Sequence, residues 1–82
     1  MYIYHNPTPE QLLQKSVDAL SDSVYAINKA IEECTHLETE HMVIKANVVH
    51  LERMLVKPEI LERVSDESVF RTAIAAGKAH IA

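Results

Sequence analysis

The side chains with the most chemistry to offer crowd into one short window: Glu33, Cys34, His36, Glu38, Glu40 and His41. His36 and Glu40 stand four residues apart, a separation that puts two side chains on one helix face and suits a pair of metal ligands. The stronger ligand patterns, His-Glu-x-x-His, Cys-x-x-Cys and paired Glu-x-x-His, are missing. Cys34 is the single cysteine, so no intramolecular disulfide can form. It continues an apolar helical stripe, where a thiol behaves as a small buried hydrophobe. Five histidines (His5, His36, His41, His50 and His80) would make any self-association that involves them respond to pH near 6. No catalytic, cofactor-binding or metal residue is assigned, and no cofactor is expected.

Other chemical patterns fall short at named positions. Histidine phosphotransfer domains place a lysine three residues after their histidine and small residues beyond it. Here Lys45 comes four residues after His41, and Asn47 follows Ala46. Helical chorismate mutases need several arginines, one of them near the start of a long first helix, whereas the first arginine here is Arg53. No glycine-rich phosphate loop exists. Ala73 and Gly77 have the Ala-x-x-x-Gly spacing of a helix-turn-helix, but five residues after Gly77 are too few for a recognition helix.

Whatever these residues do, helices must position them. Pro7, Pro9 and Pro58 bracket the stretch 10–57, which contains neither glycine nor proline and so lacks the turn chemistry of a β fold. Thr8-Pro9-Glu10-Gln11 forms a helix start, with Thr8 as cap, Pro9 in the first turn and Gln11 completing a capping box. Leu13, Val17, Leu20, Val24, Ile27, Ile31 and Cys34 then repeat at alternating steps of four and three, one stripe along one helix. A parallel stripe of Ser16, Ala19, Ser23, Ala26 and Ala30 is small enough to admit a neighbouring helix closely. Tyr25 sits among polar residues and is a candidate contact for the N-terminal arm or a partner.

Thr35 and Glu38 make a second capping box, and the apolar stripe slips phase at the same place. Both signs favour a turn there over one continuous helix through residue 57. In the second helix Ile44, Val48, Leu51 and Leu55 share one stripe. Met42, Val49 and Val56 lie nearly opposite, and Val43 with Met54 makes a third stripe. A helix apolar on several sides is normally surrounded by other helices. Beyond Pro58, Ser65-Asp66-Glu67-Ser68 reads as a fresh cap for a last helix, with Gly77 as its C-cap.

Composition narrows the function. The chain has 82 residues, 48% of them hydrophobic, too many for intrinsic disorder. Eight Lys and Arg against 12 Asp and Glu leave a net charge of −4, and the cations are scattered from Lys15 to Lys78. That argues against a nucleic-acid binder, which needs clustered cations. No apolar run is long enough to span a membrane, and no signal-peptide pattern opens the chain.

The resulting expectation is an all-α protein. An extended arm (1–8) precedes one helical domain (9–77), made of a long antiparallel helical hairpin over 9–57 (helices 9–34 and 36–57) and one or two short helices over 58–77. A frayed tail follows (78–82). Copies assemble as an oligomeric helical bundle, a homo-oligomeric dimer or tetramer, with a further protein partner also open. The interface is placed on Met42, Val43, Val49, Met54 and Val56. The expected role is non-enzymatic and cytoplasmic: a scaffold, regulatory or assembly subunit of a bacterial or phage-like system. The alternatives are a dimeric DNA-binding regulator using Arg53, Lys57, Arg63 and Arg71, a small helical metal-binding or enzymatic protein using the His36–His41 region, and a compact monomeric three-helix bundle.

Overall fold

The computed structural model describes residues 6–33 and 38–82. Four helices follow in order: α1 (Pro9–Glu33), α2 (Glu38–Met54), α3 (Pro58–Leu61) and α4 (Glu67–Ile81). No strand occurs among the described residues.

Local chemistry sets most of the helix ends. At the start of α1 both halves of the capping box form. The Thr8 amide donates to Gln11 Oε1 at 2.9 Å, and the Gln11 amide donates to Thr8 Oγ1 at 3.1 Å. α2 ends earlier than the expected residue 57. Proline pushes the residue before it out of the helical region, and Lys57 is extended, with φ −88° and ψ 119°. The chain therefore turns over Leu55 and Val56, closed by the Lys57 amide donating to the Met54 carbonyl at 3.1 Å. Pro58 then opens α3 in the first-turn position that suits its fixed φ. Asp66 caps α4, its carboxylate accepting from the Ser68 amide at 3.0 Å.

The C-terminal part of the expectation is corrected in two ways. Gly77 does not cap α4, and the stretch 78–82 is not a frayed tail: the helix continues through Ile81. Gly77 is buried in mid-helix instead. A Cβ built there would stand 2.7 Å from Val48 Cγ2, 3.1 Å from Ile44 Cγ2 and 3.4 Å from Ile27 Cγ2. Glycine is present because α4 backbone touches α2 side chains directly.

The same point brings the first two helices together. Ile27 and Ile44 both reach the space beside Gly77, whereas one continuous helix would hold them about 25 Å apart. α1, α2 and α4 each pack on the other two, and α3 packs on α1. Their common core holds Leu20, Ile27, Ile44, Leu51, Leu55 and Ile60, all fully buried, with Val48, Ala73 and Ile74 beside them. Each such large side chain contributes about 1.5–3 kcal/mol by leaving water. Leu13, Val17, Val24 and Ile31 of the α1 stripe flank this core and are partly buried. Of the small-residue stripe, Ser23 and Ala30 are buried.

The chain is extended for its size. Its Cα radius of gyration is 15.0 Å, against about 12 Å for a compact domain of this length. It exposes 6016 Å², against about 5,000 Å² for a monomeric globular protein of this mass.

Candidate interaction surface

α2 carries most of the expected interface, and its two sides differ sharply. The inner stripe of Ile44, Val48 and Leu51, continued by Leu55 in the following turn, is 0–3% exposed. On the outside Met42 is 64% exposed and Val43 44%. Val56, 72% exposed, stands in the turn after α2, so it does not extend the helical stripe of Met42 and Val49. Val49 is half-buried. Met54 is half-buried against the core of the chain. The five residues thus occupy three places: Met42 and Val49 on the outer face, Val43 and Met54 along one flank, and Val56 on the turn.

Three residues outside the expected set complete the outer face. Glu38, Ala46 and Arg53 are exposed and fall within about 40° of the Met42 direction at 100° per residue. The spacing 38, 42, 46, 49 and 53, which keeps to one side of a helix, is the signal that could find them. A search for apolar residues alone passes over it.

The ligand-type residues divide differently. Cys34 and His36 lie outside the described residues, as does the Thr35 half of the second capping box. His41, in the first turn of α2, meets His80, in the last turn of α4, edge to face with ring centroids 6.0 Å apart. Among the described residues, His41 Nε2 and Glu40 Oε2 are buried and have no hydrogen-bond partner. Among the described residues no group of three or more His, Cys, Asp or Glu side chains could hold a metal ion.

Two of the four cations considered for a DNA-binding surface are occupied within the chain. Arg63 donates to Gln14 Oε1 at 3.1 Å and pairs with Glu10, tying the end of α3 to the start of α1. Arg71 pairs with Glu67 at 2.9 Å, one turn earlier on α4. Lys78 pairs with Glu52 at 2.7 Å, linking α4 to α2. Arg53 has no ion pair among the described residues.

Several grooves among the described residues border α1, including two that carry apolar side chains from two elements. One, of about 440 Å³, lies where α1 meets the α3–α4 connection and is lined by Val17, Val24, Val64, Val69 and Phe70 with Asp18, Arg63 and Asp66. The other lies between α1 and α2, with Tyr25, Ala26 and Ala30 facing Val43 and Glu40. Tyr25 is exposed there, and Lys29 Nζ stands 5.9 Å from its ring centre.

No helix among the described residues is long and apolar enough to cross a membrane. Comparison with protein-family models, with curated proteins and with solved structures returned no match.

Proposed function

We propose that this protein is a small non-enzymatic helical subunit of the cytoplasm that works by protein–protein contact, self-associating through the outer side of α2. In this reading α1 and α2 are the arms of an antiparallel hairpin, steadied by α4, and copies join into a helical bundle. The observation that carries it is the uncovered apolar side of α2. Met42 and Val43 stay open to solvent although three other helices had the opportunity to cover them.

Light scattering on a sizing column, over a range of concentrations, tests it. The expected mass is a multiple of 9.3 kDa. Val49→Glu is expected to lower that mass while the helical circular dichroism persists, because a buried unpaired carboxylate at an interface is costly. A wild-type protein that stays monomeric throughout removes the reading.

A further inference from the structure

The geometry points to a specific mode of self-association: α2 pairs antiparallel with α2 of a second copy about a two-fold axis passing beside Ala46. This rests on the self-association proposed above and adds its orientation and its charge contacts.

The outer face of α2 reads Glu38, Met42, Ala46, Val49, Arg53. It points almost directly away from the Ile44 stripe at 100° per residue. Charge is segregated along it, with acid in the first turn and base in the last, and apolar residues between. Such a face is complementary to itself only when two copies run in opposite directions. An isologous contact pairs residue i with j and j with i. With the axis between Lys45 and Ala46, Glu38 falls level with Arg53 of the second copy and Met42 level with its Val49. Both pairings then occur twice. The small side chain at Ala46 sits at the crossing, where two helix backbones approach most closely. Lys45 stands about 60° to one side of the stripe, and its long stem lets the ammonium turn to water.

Neither Glu38 nor Arg53 has an ion-pair partner among the described residues, and both are exposed. A parallel pairing would set Glu38 against Glu38 and Arg53 against Arg53, which like-charge repulsion disfavours.

Charge reversal on the full-length protein tests this, read by light scattering or sedimentation. Arg53→Glu alone and Glu38→Arg alone each place like charges together twice, and each is expected to weaken the dimer about tenfold or more. An equimolar mixture of the two variants is expected to recover the wild-type mass. In the mixed dimer the native Glu38 of one chain meets the native Arg53 of the other, and the two substituted side chains meet as a second acid–base pair. Both positions are exposed, so the fold is retained, and circular dichroism checks that it is. A wild-type oligomer that both variants leave unchanged, or a mixture that fails to recover the mass, overturns the antiparallel pairing while self-association stands. A wild type that is monomeric at every concentration overturns both.

Discussion

The inner and outer sides of α2 are built from similar residues and meet opposite fates. Inside, Ile44, Val48 and Leu51 are β-branched or leucine side chains set where α1 and α4 converge. Outside, Met42, Ala46 and Val49 have the same helical spacing but lie between Glu38 and Arg53, with Lys45 to one side. The outer side is apolar only in its middle, so hydrophobicity separates the two sides in part. The rest of the distinction comes from which side has neighbours within the chain, and α4 provides them through a glycine that lets it approach. Spacing therefore reports that a side is apolar, while the topology decides whether it is core or surface.

Substitutions on the two sides should separate by magnitude in urea unfolding, compared at one protein concentration because the proposed association would add to apparent stability. Leu51→Ala, at a fully buried position, is expected to cost about 2–5 kcal/mol. A loss below about 1 kcal/mol would mean that the inner side is not the core.

Gly77→Val follows at about 1–3 kcal/mol. Its side chain must displace Val48 and Ile44, whose methyls already lie 2.7 and 3.1 Å from a modest Cβ. Unchanged stability would show that α4 stands further from α2.

Asp66→Ala removes the cap that accepts from the Ser68 amide and is expected to cost about 1 kcal/mol. That change tests the hold of α4 on the inner side without touching the core. Asp66→Asn should keep most of the wild-type stability, since asparagine also caps.

The smallest effect belongs outside. Met42→Ser is expected to change the stability of the single chain by less than about 0.5 kcal/mol, measured at high dilution. A larger loss there would make Met42 part of the packing within one chain.

The helical class and the first helix are legible in the sequence because local rules decide them. The Thr8–Gln11 box forms as its residue types require, and the Leu20 and Ile27 stripe lies inward as its period requires. Proline chemistry at Pro58 marks the end of α2 approximately, though the restriction on the preceding residue moves it back from 57 to Met54. Gly77 misleads because a glycine near a helix end has two uses, capping and close approach. Only the position of α2 relative to α4 separates them. The outer face is half legible. Met42 and Val49 stand out as apolar residues, whereas Glu38, Ala46 and Arg53 share their direction without sharing their polarity. The pairing of Arg63 with Glu10 links residues 53 apart in the chain and has no sequence signature at all.

Gly77 carries one more consequence, in the language of coupling. Ile27 of α1 and Ile44 and Val48 of α2 all border the small volume that its missing side chain leaves open. A change of shape at any of the three alters the space available to the other two, so their effects on stability will not add. Three positions from two helices thereby behave as one packing unit, and the chain's single glycine is the member that holds them to a common size.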